Sequence, residues 1–445
     1  MRGNTPRPNQ ALYPSISHPM SHIDLNPPRL GNRGLMTEQP FIIGVNYWPQ
    51  RKGMFMWREF DRGAIDEDMS VISDLGFSCV GISLLWEDFQ PRPQNVAPIM
   101  LDRLVRVLEM AVDKNLDVIP TLFTGHAGGL NWLPPWMLRA STGKNRLQVF
   151  SQDKARSNEP RNPYSEPEVM EAQIFFLREL LGAVSGHPAL LAWNLGNEPS
   201  LWTVPPDEFS ARLWLQAMTE TLREKDDDVP LTLGLGVEDL AKNRGLTLRL
   251  VAQRLDYVGI RVNLHHISWS EGPFDPAILP FVALITGWLA KIPVLVQDFG
   301  LPTIPTVQDS WSGMIRDEKG LSLFSEDDVA EFADEALTHL RRFRALGGFW
   351  KSFGDYHPSI WNWPPLDRNI PERFFGLLRH DGSPKPAAAV FKTGLTETED
   401  GRSKTEDARQ ESVEWIDVGE EEYYQDPKHH LSRLCQRFRE YYSLG

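Results

Sequence analysis

Cysteine is nearly absent from this chain. Cys79 and Cys435 are the only two in 445 residues, which leaves no disulfide framework and no cysteine metal site. Long hydrophobic runs are missing too, and nothing reaches the roughly 20 apolar residues that cross a bilayer. Residues 1–40 have neither the charged start nor the apolar centre of a secretory signal. Basic residues are in deficit: the formal net charge of −14 argues against a nucleic-acid partner. These absences together predict a soluble, cytoplasmic protein with no membrane and no nucleic-acid partner. What the chain has in quantity is tryptophan, 15 residues, many of them in loops rather than on periodic apolar faces.

Residues 1–40 are rich in Pro, Asn, Ser and Arg without periodicity and read as a disordered lead; Met36, just before ordered sequence, is an alternative start. Strand and helix signals alternate from there on. Buried-strand runs occur at Phe41–Tyr47, Phe77–Leu84, Leu116–Leu122, Leu190–Leu195, Leu231–Leu235, Asp256–Val262, Ile292–Val296 and Gly347–Phe353. Helical stripes separate them. One uses Leu101, Leu104, Val105, Leu108, Ala111 and Val112; another uses Met170, Ile174, Leu177, Leu181 and Val184. Further helices are expected at Asp207–Glu224, Glu238–Gln253, Ile278–Ala290, around Val329–Phe343, and at Pro384–Phe391. Eight strands, each followed by a helix-sized segment, predict an α/β fold, a (β/α)8 barrel spanning 41–393. No glycine-rich phosphate fingerprint follows the first strand, which weakens an open doubly wound sheet. The stretch 123–164 is long for a barrel connection and is expected to be a functional loop. Residues 394–445 read as an acidic, solvated linker ending in an amphipathic helix at Asp426–Tyr442.

In a (β/α)8 barrel the chemistry sits at the C-terminal ends of the strands. Those positions hold Asn46, Tyr47 and Trp48, then Trp86, Glu87 and Gln90, then His126 and Trp132. Asn197, Glu198 and Trp202 follow the fourth strand, and Arg261, Asn263 and His265 the sixth. Asp298 follows the seventh, and Trp350, Asp355 and Tyr356 the eighth. By itself Asn197-Glu198-Pro199 is an ordinary strand-to-loop turn. With amides and flat aromatic rings converging around it, the set suits a neutral polyhydroxylated ligand. Glu198 and Asp298, on separate strands, are the minimum pair for cleaving a glycosidic bond. His265-His266 with Glu271 matches no ligand spacing, so no metal is expected.

Five segments carry a resemblance. Gly44-Val-Asn-Tyr-Trp-Pro49, Trp86-Glu-Asp-Phe-Gln-Pro91, Trp193-Asn-Leu-Gly-Asn-Glu-Pro199 and Val294-Leu-Val-Gln-Asp-Phe-Gly300 are similar to clan A glycoside hydrolases. Gly376-Leu-Leu-Arg-His-Asp-Gly-Ser-Pro-Lys-Pro386 resembles that clan's closing segment. The nearest resemblance is to the cellulase and mannanase family, family 5, and to β-galactosidase-like relatives, over roughly 41–391. It implies a retaining hydrolase of β-linked glycans or oligosaccharides that needs no cofactor. It also implies roles: Glu198 as general acid/base, Asp298 at the nucleophile position, Asn197 on the neighbouring sugar hydroxyl, and Trp350 as the platform beneath the sugar. Asn46, Tyr47, Trp86, His126, Trp202, Arg261 and Asn263 are the remaining candidates for substrate contact.

The chain departs from that family at three linked places. The nucleophile position carries Asp298 rather than Glu, one methylene shorter, or about 1.5 Å. The strand-two arginine that steadies the nucleophile is Gly81, and the His-x-Tyr after strand six is Arg261-Val-Asn263. One expectation is a compensated site in which Arg261 supplies the lost cation and keeps Asp298 ionised. The alternative is a barrel that has lost hydrolysis and kept sugar binding.

Overall fold

The computed structural model describes residues 40–140, 147–264, 267–304, 323–393 and 413–442. The lead 1–39, the acidic tract 394–412, and His265 and His266 lie outside the described residues. Eight strands form the barrel: β1 (Ile42–Tyr47), β2 (Cys79–Leu85), β3 (Asp117–Thr124), β4 (Trp193–Asn197), β5 (Leu231–Gly236), β6 (Val258–Arg261), β7 (Val294–Phe299) and β8 (Gly347–Trp350). They close in the order β1-β8-β7-β6-β5-β4-β3-β2, and every neighbouring pair is parallel. Both faces of such strands are covered, which is why each reads as a near-continuous apolar run.

The barrel interior is layered. Its lower end is plugged by Ile42, Cys79, Ile119, Ala192, Tyr257, Leu295 and Phe349. Above the plug the side chains turn polar, with Thr121, Asn194 and Gln297 all buried. This layer supports the residues at the mouth.

The surrounding helices are α1 (Arg62–Asp74), α2 (Pro98–Asp113), α3 (Pro167–Val184), α4 (Glu208–Arg223), α5 (Ile278–Ala290), α6 (Glu326–Arg342) and α7 (Pro386–Thr393). Asp61, Asp207 and Ser325 each cap a helix by accepting from a backbone N–H in its first turn, satisfying donors that the helix leaves open. The helix expected over Glu238–Gln253 is instead two short pieces, Val237–Ala241 and Leu248–Val251. Gly245 between them adopts φ +90°, and the Asn243 side chain accepts from its N–H at 2.9 Å. That local turn competes with helix continuation.

Two segments add to the plain barrel. The long connection after β3 is a five-stranded sheet, built from His126–Ala127, Leu130–Trp132, Leu138–Arg139, Leu147–Ser151 and Lys154–Pro160. At the other end of the chain, α8 (Pro427–Tyr442) docks on the barrel. Leu431, Leu434, Cys435 and Phe438 are buried, and Phe438 packs against Phe281 of α5 and against Trp415. Arg439 pairs with buried Asp275, and the Tyr423 hydroxyl donates to Leu240 O at 2.9 Å. Residues 413–442 therefore share the barrel's core. Among the described residues no helix is long and apolar enough to cross a membrane.

Candidate active site

A cleft of about 1170 Å³ opens at the C-terminal ends of the strands, somewhat above the roughly 300–1,000 Å³ of small-ligand pockets. Asn46, Tyr47, His126, Asn197, Glu198, Arg261, Asn263 and Asp298 all line it. Eight of the eleven sequence candidates thus meet in one place.

Asn197 is the last residue of β4. Its Oδ1 accepts from Asn194 Nδ2 at 2.8 Å, and Asn194 in turn donates to Thr121 Oγ1 at 3.0 Å. Glu198 follows in the left-handed region, φ +45° and ψ +53°, an uncommon conformation for a side chain of this size. Its N–H donates to Gly234 O at 2.7 Å, which holds the turn against β5. Glycines on β5 make the room. A Cβ on Gly234 would collide with Asn197, and one on Gly236 with Glu198 Oε1.

Arg261 and Asp298 are register partners at the ends of β6 and β7. Arg261 donates through Nε to Glu198 Oε2 at 3.1 Å and through Nη2 to Asp298 Oδ2. One guanidinium thus bridges both carboxylates. Burial raises the Asp298 carboxyl above its ordinary range, against the pull of Arg261 and Lys351. Burial also opposes the charge on Arg261, but Asp298 and Glu198 more than offset it, and its pKa is raised.

Gly81, where the resemblance places an arginine, is the register partner of Asn46. An added Cβ would stand 2.5 Å from Asn46 Oδ1. Asn46 uses that space to donate from Nδ2 to Gln297 O at 2.9 Å, the carbonyl just before Asp298. His126, whose Nδ1 is 2.9 Å from Asn131 Oδ1, has its pKa lowered by burial. The Tyr47 hydroxyl is committed to Asp68 at 2.8 Å.

Three tryptophans do not reach the cleft. Strand alternation sends Phe349 into the barrel and Trp350 outward, only 1% exposed. There Trp350 packs on Phe299 and Phe391 and donates to Phe375 O at 2.9 Å. It offers no platform. Trp86 and Trp202 are buried together, and Trp86 donates to Gln90 Oε1 at 2.7 Å. Among the described residues, the indoles that line the cleft are Trp48 and Trp269.

The next inward position after Phe349 belongs to Lys351, which lines the cleft. Its Nζ lies 3.3 Å from Glu372 Oε2 and 3.6 Å from the centre of the Phe375 ring. Once the register of β8 is known, strand alternation puts Lys351 on the inward face. Glu372 sits in a short 3-10 turn, Pro371–Phe374, and no sequence pattern marks it.

GH5_18 from Bifidobacterium longum subsp. longum ATCC 55813 superposes with a TM-score of 0.66 at 19% identity, covering 81% of this chain and 80% of that one. A GH5_18 variant from Streptomyces cattleya, in complex with Manβ1-4GlcNAc, gives 0.65 at 20% identity, covering 81% and 82%. The exo-β-1,4-mannosidase Op5Man5 from Opitutaceae bacterium strain TAV5 gives 0.64 at 23% identity, covering 80% and 59%. The fold is shared with glycoside hydrolases. No family model matches the chain, and none of the curated proteins does.

Proposed function

We propose that this barrel is a retaining glycoside hydrolase acting on β-linked glycans or oligosaccharides. The observation that carries the reading is the pair of carboxylates from β4 and β7, Glu198 and Asp298, held at the mouth of one cleft by a shared guanidinium. In this reading Asp298 attacks the anomeric carbon through Oδ1 while Arg261 holds Oδ2. Glu198 gives its proton to the leaving oxygen, then takes one from water as that water releases the sugar from Asp298. Sugar binding has to part Arg261 from Glu198, because the leaving oxygen needs the edge of the carboxylate that the guanidinium occupies. Asn197, fixed by Asn194, is placed to hold the adjacent sugar hydroxyl. The mannosidase among the similar structures, and the Manβ1-4GlcNAc bound to another, favour β-mannosides as the first substrates to try.

A second reading is a sugar-binding barrel without turnover. Two observations favour it: Arg261 ties both carboxylates together, and Trp350 is withdrawn from the sugar's expected platform. Purified protein, beside Glu198→Gln and Asp298→Asn, should be assayed on aryl β-glycosides and on mannan, glucan and galactan oligomers. Hydrolysis by the wild type and its loss in both variants is the expected result. Equal background rates for all three proteins, with sugar binding retained, would leave only the second reading.

A further inference from the structure

The two ends of the cleft differ in how their charges are paired. Deep in the cleft Arg261 is shared by Glu198 and Asp298, and Lys351 pairs with Glu372. At the rim Glu238 faces Arg244 at 3.8 Å, and Asp367 faces Arg368 at 3.6 Å. Lys242 and Lys428, which also line the cleft, make no ion pair or side-chain hydrogen bond among the described residues. Among the described residues no carboxylate pairs with either lysine.

Their position relative to Glu198 gives them a role. Glu198 Oε1 lies against Gly236, and the chain continues from Gly236 into the short helix Val237–Ala241 and then Lys242. In the proposed reaction Glu198 must touch the leaving oxygen, so the wall beside it faces the leaving group rather than the sugar that reacts. Lys428 reaches the same wall from the C-terminal segment, because α8 packs on that short helix and Tyr423 is bonded to Leu240. Lys428 stands in the first turn of α8, which contains no acidic residue. Asp426 caps that turn by accepting from His429 N–H at 3.3 Å and forms no ion pair with Lys428.

We propose that Lys242 and Lys428 form a leaving-group subsite for an aglycone or neighbouring sugar that carries a carboxylate, sulfate or phosphate. The inference rests on the glycosidase reading. It makes the C-terminal segment part of the substrate site as well as of the core. Both lysines are exposed, so their preference is modest and salt-sensitive.

The test uses the full chain and matched probes. Phenyl β-D-mannopyranoside and β-D-glucopyranoside are compared with analogues bearing a para carboxylate, sulfate or phosphate, by calorimetry and by rate of hydrolysis. At low salt the charged analogues should bind up to about tenfold more tightly than the neutral parent, the effect of two exposed ion pairs. The ranking of the three anions names the group preferred. Lys242→Gln/Lys428→Gln should abolish the advantage and leave the neutral glycoside unchanged. Equal binding of charged and neutral probes, or an advantage that survives in the double variant, overturns the subsite and leaves the glycosidase reading standing. If neither these probes nor the wider panel of aryl β-glycosides and mannan, glucan and galactan oligomers is bound or cleaved, the glycosidase reading falls and the subsite with it.

Discussion

At the scale of single residues, the site is organised by Arg261. Its guanidinium meets two carboxylates on different strands, while Asn46 fills the space over Gly81. If Arg261 keeps Asp298 ionised, removing it strands a buried carboxylate and favours its protonated form. Burial already raises Asp298, so the nucleophile should be lost as pH falls through a value above the ordinary carboxylate range. Arg261→Ala should move the acid limb of the pH–rate profile to higher pH and lower turnover by roughly 10²-fold or more. Arg261→Lys should recover part of both. An acid limb that stays in place would remove the assigned role. Gly236→Ala is a subtler probe, because its Cβ would push Glu198 Oε1 aside. Displacement of the acid/base by about 1 Å predicts a loss of about a hundredfold in kcat, read against an unchanged circular dichroism spectrum.

At the scale of elements, β5 is shaped by its neighbour. Its Gly234 and Gly236 leave the space that the side chains of Asn197 and Glu198 occupy. The sheet inserted after β3 supplies His126 and much of one cleft wall. Helix α8 provides the clearest energetic test. Phe438 is fully buried between Phe281, Trp415, Phe343 and Tyr442. Phe438→Ala should lower the unfolding free energy by about 3–5 kcal/mol, measured by urea denaturation. A change under about 1 kcal/mol would mean that the C-terminal segment is not docked in solution.

For the whole molecule, the balance of buried carboxylates sets how stability depends on pH. Burial raises Glu87 to about 7, and Asp68, Asp88 and Asp355 each to about 6. A carboxyl whose folded pKa exceeds its unfolded one, about 4, binds its proton more tightly when folded. Stability from these groups therefore falls as pH rises from about 4 to about 7. Carboxylates lowered by ion pairs or backbone donors work in reverse: burial opposes Glu166, but the Asn162 N–H and Arg161 outweigh it, and Arg178 lowers Glu224. Their stabilisation is lost only as pH falls below about 4. Unfolding free energy should thus peak near pH 5 and be lower at pH 8, and urea titrations at the two values test this. Glu87→Gln should flatten the upper part of that slope and gain about 1 kcal/mol at pH 8.

Much of the architecture was legible in residue order alone. The eight strands were readable because a strand covered on both faces must be apolar throughout, and the barrel followed from their alternation with helices. That Asn197, Glu198, Arg261 and Asp298 meet at one cleft was readable because residues at the C-terminal ends of barrel strands share one face. Side-chain direction was not. Trp350 and Lys351 are adjacent, and only the register of β8 decides which faces the cleft and which the helices. The resemblance placed an arginine where Gly81 stands, and the fold shows Asn46 occupying the space beside it. Long-range meetings were equally hidden: a short 3-10 turn brings Glu372 to Lys351, and the segment of α8 and Lys428 docks through contacts such as Tyr423 with Leu240, 183 residues apart, which no local periodicity encodes. Local patterning, a matter of burial repeated along each segment, determined the elements and their order. The tertiary structure decided which side chains share the cleft, because that depends on register and on packing between segments far apart in the chain.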